Sequence, residues 1–314
     1  MCRDSWAGVE LRHLAALEAI ATEGSFRGAA DHLGYVQSAV SQQLAVLERI
    51  VGARLVERAS GARSVALTAA GELLLHHAGA ILARIQAARA DLDGLSAGEG
   101  GTVRIGAFQS VVGRVLPPVL ERFAAACPGV AVTCGEWPTD VPIFELVADG
   151  VLDLGFAGLP LEPGPFASCE LLRMPAALLV AADSPLARRD EPPTLAEIAR
   201  LPHIGRQTGR IALRGEERLR SVRGTLDVVF RSDLNDTTRE LVAAGRGVAL
   251  VWPLSEDPGD ERTALIDLGD QLDALRLGLF WHRERLLTPA AEELGEIARA
   301  VCADMQAPAL AAAA

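Results

Sequence analysis

The stretch Ser25-Phe26-Arg27-Gly28-Ala29-Ala30-Asp31-His32-Leu33-Gly34-Tyr35-Val36-Gln37-Ser38-Ala39-Val40-Ser41-Gln42-Gln43-Leu44 contains two helix starts and one helix stop in close succession. Ser25 follows Gly24, which ends an apolar stripe at Leu14, Leu17, Ile20 and Ala21. A serine in that position is a natural N-cap, because its hydroxyl accepts from backbone amides that the first helical turn leaves unpaired. Phe26, Ala29, Ala30 and Leu33 then recur at helical spacing, and Gly34 stops the helix. Tyr35 and Val36 lead into a third helix, Gln37 to Ile50, whose buried positions are Val40, Leu44, Leu47 and Ile50. Two short helices joined by a glycine-containing turn form a helix-turn-helix.

Beyond this stretch the pattern changes at Leu55. Leu55 and Val56 on one side, and Val65 and Leu67 on the other, predict a two-stranded wing around the turn Ser60-Gly61-Ala62-Arg63. Thr68 then caps a long helix along which Leu74, Ala78, Ile81, Ile85, Ala88, Leu92 and Leu95 alternate in steps of four and three. That is a heptad seam, which predicts a partner helix from a second copy of the chain. Gly94, Gly98, Gly100 and Gly101 mark a hinge and the main domain boundary.

After the hinge, strand and helix alternate: strands Val103 to Ala107, Val130 to Cys134 and Leu152 to Ala157, with helices Val115 to Ala126 and Ile143 to Asp149 between them. This order predicts a parallel sheet with ligands at the carboxyl ends of its strands. The pattern restarts at Ala176 and runs to a last strand, Leu275 to Trp281, and a last helix, Pro289 to Met305. Two α/β lobes with a cleft between them fit that count better than one sheet.

The charge distribution separates the two halves. The 314 residues carry a net charge of −11, and all 30 cations are arginine. Without lysine the chain has no Schiff-base, phosphate-loop or pyridoxal-anchoring amine. Residues 96–314 hold 21 arginines and 31 acids, so nearly all of the net charge lies there. Residues 25–63 hold five arginines and three acids, a local positive face.

Cys2, Cys127, Cys134, Cys169 and Cys302 show no metal-finger or Cys-x-x-Cys spacing, which points to a reduced compartment. No apolar run approaches the length of a membrane span, so the expected location is the cytoplasm, with no membrane partner. His13, His32, His76, His77, His203 and His282 have no ligand partners at metal spacing. No Gly-x-Ser-x-Gly elbow appears, so neither a catalytic residue nor a cofactor is assigned.

On the third helix, Gln37, Ser38, Ser41 and Gln42 lie opposite Val40 and Leu44. Carboxamides and hydroxyls can reach base edges there, while a string of this kind is also an ordinary solvated helix face. Arg27, Arg54, Arg58 and Arg63 are placed to meet phosphates, and Ser25 completes the candidate DNA-binding set. In the second half, Gln109 and Ser110 follow the first strand, where free amides favour an anion. Gln207 and Thr208 form a polar loop, Asn235 precedes a helix near Thr237, and Trp137 offers an aromatic wall. Arg206 and Arg210 either pair with a ligand carboxylate or lie exposed.

The segments Ser25 to Ala30, Gln37 to Leu44, Gly52 to Arg58 and Val65 to Gly71, with Leu33, Leu47 and Glu48, closely resemble the N-terminal signature of LysR-type transcriptional regulators. Val103 to Ala107, Leu116-Pro117, Pro128 to Val130, Gly150 to Leu154, Ser184 to Ala187 and Leu241 to Leu250 look like that family's effector-binding domain.

The resemblance implies an α/β chain with three parts. These are a winged helix-turn-helix (residues 9–67), a dimerisation helix and hinge (68–97), and a two-lobed domain similar to periplasmic solute-binding proteins. Lobe I would take residues 102–172 and 268–305, and lobe II residues 173–267. It implies double-stranded promoter DNA with dyad symmetry, a small anionic effector, and a homodimer through 68–95 that pairs into a homotetramer. Gln37, Ser38, Ser41 and Gln42 would lie in the major groove and Arg63 beside the minor groove. The chain departs from the family at Val36, which lacks the usual capping hydroxyl, and at Gln42, where arginine is common. The rival reading is a cytoplasmic solute-binding protein or enzyme on the same two-lobed fold, with the N-terminal helices as a protein-interaction module.

Overall fold

The structure is a computed structural model that describes residues 6–57, 65–97, 101–256 and 259–312. The chain divides into one compact unit formed by residues 1–90 and 149–151 and another formed by residues 91–148 and 152–314. Arg58, Arg63, the wing turn between them and the Gly98-Gly100 part of the hinge lie outside the described residues.

In the first unit, α1 (Leu11–Glu23), α2 (Phe26–Leu33) and α3 (Gln37–Val51) precede the short antiparallel pair β1 (Val56–Glu57) and β2 (Ala66–Leu67). Helix α4 (Ala69–Ala97) follows. Ser25 caps α2, its Oγ accepting from the Gly28 amide at 3.0 Å. Gly34 ends the helix at φ 68°, a backbone conformation that side chains with a Cβ resist. Leu17, Ile20, Ala29, Val40, Leu44, Leu47 and Leu55 are fully or almost fully buried in one core, as the apolar spacing predicts.

The turn into α4 is tied tightly to the wing. Thr68 Oγ1 donates to the Arg54 carbonyl at 2.7 Å and accepts from the Gly71 amide at 3.0 Å. The Leu55 amide donates to Glu48 Oε1 at 2.9 Å. A Cβ at position 71 would lie 2.0 Å from the Leu55 carbonyl oxygen, so only glycine lets α4 approach this strand.

The expected α4 seam is not uniform. Leu74 and Ala78 are buried in the unit's own core, whereas Ile81 and Ile85 are both 45% exposed, and Leu73 is exposed as well. The first turns of α4 must cover the core formed by α1 and α3, so the unpartnered apolar face begins only near Ile81.

The second unit opens with β3 (Thr102–Phe108), α5 (Gln109–Arg114), α6 (Leu116–Ala126), β4 (Ala131–Trp137), α7 (Val141–Asp149) and β5 (Leu154–Gly158). Then come β6 (Phe166–Met174), β7 (Ala177–Ala181), α8 (Leu195–Ile198), β8 (His203–Gly205), α9 (Arg210–Arg223) and β9 (Val228–Arg231). Last are α10 (Asn235–Ala243), β10 (Ala249–Val251), β11 (Thr263–Asp267), β12 (Leu275–His282) and α11 (Pro289–Ala312).

A five-stranded sheet runs β4-β3-β5-β12-β6, and a three-stranded sheet runs β10-β7-β11 beside the pair β8-β9. The chain passes from the first sheet to the second after Met174 and returns between Asp267 and Leu275. The first sheet is mixed rather than parallel throughout. β3 runs parallel to β4 and β5, but β12 is antiparallel to β5 and β6. β12 returns from the second lobe and enters the sheet from its far end, which forces the reversed direction.

The second lobe buries a titratable group. His203 is 2% exposed, and its Nε2 lies 3.0 Å from the Ile198 carbonyl, to which it donates as the neutral ring. Desolvation lowers its pKa from 6.5. Below pH 6.5 the unfolded chain binds a proton that the folded chain refuses, so stability falls as pH drops from 6.5 toward the lowered folded value. The wild-type melting temperature, measured against His203→Gln between pH 8 and 5.5, should show an acid-side loss that the variant lacks. Parallel curves for the two proteins would remove His203 as the cause.

Candidate nucleic-acid interface and interlobe cavity

On α3 the buried stripe of Val40, Leu44 and Leu47 faces the core and turns Gln37, Ser38 and Gln42 fully outward, with Ser41 half-buried beside them. Val36 holds the N-cap position and makes no side-chain cap bond, so the first amides of α3 depend on the Val36 carbonyl turn or on solvent. The first turn of α3 has no acid. Arg27 on α2 and Arg54 before the wing are exposed, and among the described residues neither forms an ion pair. A carboxamide-rich helix face and exposed arginines in the same unit are the residue types that read base edges and meet phosphates. Ser25 differs from the other candidates because its oxygen is engaged as the α2 cap.

Two exposed residues were not singled out by spacing. Tyr35 is 51% exposed at the mouth of α3, and Arg49 is exposed near its end without an ion pair among the described residues. An aromatic in a turn that contributes to no apolar stripe was the available signal for Tyr35.

The second unit holds a cavity of about 100 Å³ between its lobes. Phe108, Ser110, Thr139 and Asp140 line it from the first lobe, and Arg206, Thr208, Arg210 and Asn235 from the second. Of the residues read from sequence, Ser110, Thr208 and Asn235 therefore converge on it. Gln109 stands at its edge as a tie between lobes, its Oε1 accepting from the Asn235 amide at 3.0 Å. Asn235 is the first residue of α10, not a residue before it.

Two expectations need correction, the placing of Trp137 and of Gln207 on this cavity. Trp137 does not line this cavity: its ring packs over Gly106 and Gly135, both of which lack the Cβ that would collide with it. The Gln207 and Thr208 amides both donate to Asp233 Oδ1 at 3.0 Å, which ties the loop to that carboxylate. Gln207 is exposed, and its Nε2 donates to the Arg231 carbonyl.

Arg210 is not exposed either. It spans the cleft to Asp140 Oδ2 at 3.0 Å and donates to the Gly158 and Pro160 carbonyls at 2.8 and 3.0 Å. Its guanidinium also stands 5.1 Å from the Phe144 ring centroid. Asp140 in turn accepts from the Gly158 amide at 3.0 Å, so the pair is hydrogen-bonded on both sides.

Arg206 is the polar group in the cavity best placed to meet an anion. It donates to the Asp233 carbonyl and to Asn235 Oδ1, both at 2.7 Å, and among the described residues it has no ion pair. Burial lowers its pKa from 12.5, with Asp233 and Glu256 opposing that shift. The same burial raises the Glu256 carboxyl. Among the described residues no group of histidines, cysteines and carboxylates is arranged to hold a metal ion.

Residues 11–72 match the model of the bacterial regulatory helix-turn-helix protein, lysR family, and residues 96–303 match the LysR substrate binding domain. The chain belongs to the LysR family of transcriptional regulators. An SDS degradation transcriptional activation protein of Pseudomonas sp. strain ATCC 19151 is 31% identical over 310 residues, covering 91% of this chain and 94% of the relative. The HTH-type transcriptional regulator YnfL of Escherichia coli is 35% identical over 197 residues, and that match spans 62% of this chain and 65% of the relative. The crystal structure of CbnR, a LysR family transcriptional regulator, superposes with a TM-score of 0.70 at 20% identity, covering 94% of this chain and 99% of CbnR. CbnR is also known in complex with its target DNA. The LysR fold thus accounts for both units. Among the described residues no helix is long and apolar enough to cross a membrane.

Proposed function

We propose that this LysR-family regulator binds promoter DNA of dyad symmetry through α2, α3 and the wing, and that a small anionic metabolite in the interlobe cavity controls it. The observation that carries the DNA reading is the outward face of α3, where Gln37, Ser38 and Gln42 stand exposed, together with exposed Arg27 on α2 and Arg54 after α3, which form no ion pair among the described residues. The exposed Ile81 and Ile85 support a homodimer through residues 68–95, and two such dimers would make the tetramer. The working division is DNA-binding residues 9–67, dimerisation helix and hinge 68–97, lobe I at 102–172 with 268–305, and lobe II at 173–267, with the lobe boundary moved to Met174, where β6 leaves the first sheet. Arg58 and Arg63 remain in the DNA-contact set as sequence-based assignments.

Arg206 supports an anionic effector, since a partly desolvated guanidinium with no ion pair among the described residues is completed by a ligand carboxylate or phosphate. In this lobe arrangement the volume admits a ligand of only a few non-hydrogen atoms. An effector that fits one lobe arrangement better shifts the population toward it. No residue in either site is assigned a chemical step, and the working place of the protein is the cytoplasm, with DNA.

Fluorescence anisotropy with labelled DNA flanking the gene of this protein tests the reading. Binding should be sequence-specific and fall steeply with salt, because phosphate contacts release counterions. The same weak binding to scrambled DNA, or none to either, would favour a solute-binding protein or enzyme instead.

A further inference from the structure

A second cavity, of about 410 Å³, lies where the chain crosses between the lobes. Arg173 at the end of β6 and Arg276 on β12 line it from the first lobe, and Arg214 and Arg218 line it from α9 of the second. Arg214 and Arg218 are four residues apart and therefore share a helix face. Arg276 is held by Glu170 at 2.6 Å. Among the described residues Arg173, Arg214 and Arg218 form no ion pair. Asp270 and Asp273 are the acids in the wall, so guanidiniums outnumber carboxylates.

Around this cavity three guanidiniums without an ion pair among the described residues face two carboxylates, so a net positive charge remains, and the lobes they belong to are joined by two crossovers. A single multiply charged anion placed among them offsets that charge and accepts paired N–H donors from more than one fork. The cavity shares only Ile211 and Trp252 with the cavity described above. Those two side chains form a common wall through which filling one side presses on the other. Trp252 Nε1 is buried without a hydrogen-bond partner among the described residues.

We propose that this crossover cavity is a second effector site for a small, multiply charged oxyanion, a phosphate ester or a polycarboxylate. The anion bridges Arg173 of one lobe to Arg214 and Arg218 of the other and fixes the angle between the lobes. It binds at a site separate from that of the cleft ligand, and by linkage the two ligands alter each other's affinity.

Isothermal titration calorimetry on the full chain, with pyrophosphate and with citrate at matched ionic strength, tests the proposal. At least one should bind saturably, one per chain. The double variant Arg214→Glu/Arg218→Glu should weaken that binding roughly tenfold or more, as expected for losing charge-assisted hydrogen bonds. Both positions are exposed on α9, and Arg214→Gln/Arg218→Gln serves if charge reversal disturbs the circular dichroism spectrum. Ser110→Trp, which fills the other cavity, should leave the binding in place. Tighter pyrophosphate assigns a phosphate ester, and tighter citrate a polycarboxylate. The proposal is overturned if neither probe binds saturably, if binding survives loss of both arginines, or if Ser110→Trp abolishes it.

Discussion

Replacing Arg210 by methionine should remove about 3–5 kcal/mol from the stability of the sensing unit, the cost of leaving a buried carboxylate without its partner. The Arg210 and Asp140 side chains are 13% and 8% exposed. No other arginine reaches Asp140 within ion-pair distance among the described residues. Urea unfolding followed by tryptophan fluorescence measures the loss, because Trp137, Trp252 and Trp281 all lie in this unit. The double variant Asp140→Leu/Arg210→Met should regain much of it, since a buried ion pair replaced by apolar groups of similar volume is often neutral. If the single variant unfolds at the wild-type urea concentration, Arg210 does not pin the lobes. If the double variant is as unstable as the single, the loss came from the Gly158 and Pro160 carbonyls rather than from the charge.

Gln37→Ala should weaken binding to the specific site by about 1–3 kcal/mol, roughly 5- to 150-fold, if Gln37 makes a paired contact to one base. The sign of a base contact is selectivity: the variant should lose preference at one position of each half-site and keep its affinity for unrelated DNA. Arg54→Ala should behave oppositely, weakening all sequences alike and lowering the slope of log affinity against log salt by about one. Both side chains are exposed, so melting temperatures should stay near the wild-type value and separate loss of contact from loss of fold. Anisotropy titrations at several salt concentrations distinguish the two. Unchanged affinity and preference in Gln37→Ala would take that residue out of the reading set.

How much was legible depended on which interactions decide each element. The helix-turn-helix could be read because its signals are local: Ser25 caps, Gly34 stops, and Val40, Leu44 and Leu47 repeat along one face. The strand β6 could not, because it is a sheet edge whose apolar residues are interrupted by exposed Ser168 and Glu170. The six-residue helix α5 is too short to show a period, so the strand before it appeared to run into a loop.

The candidate cavity was legible as a place but not as a set of bonds. Ser110, Thr208 and Asn235 converge because strand ends and helix starts meet there. The capture of the Gln207 and Thr208 amides by Asp233, and the span from Arg210 to Asp140, are long-range pairings that no local pattern encodes. Trp137 failed as a cavity wall for the same reason, since Gly106 and Gly135 receive its ring from a neighbouring strand and from its own. On α4 the heptad spacing was real, but competition from the chain's own core took Leu74 and Ala78.

The central claim is that this chain reads a twofold-symmetric DNA site with paired copies of α3. Nuclease footprinting of the purified protein on the DNA flanking its gene tests it most directly. Protection should be arranged about a dyad, with half-site centres one helical turn, about 34 Å, or a multiple of it apart. Protection without twofold symmetry, or none at protein concentrations that saturate anisotropy, would contradict it.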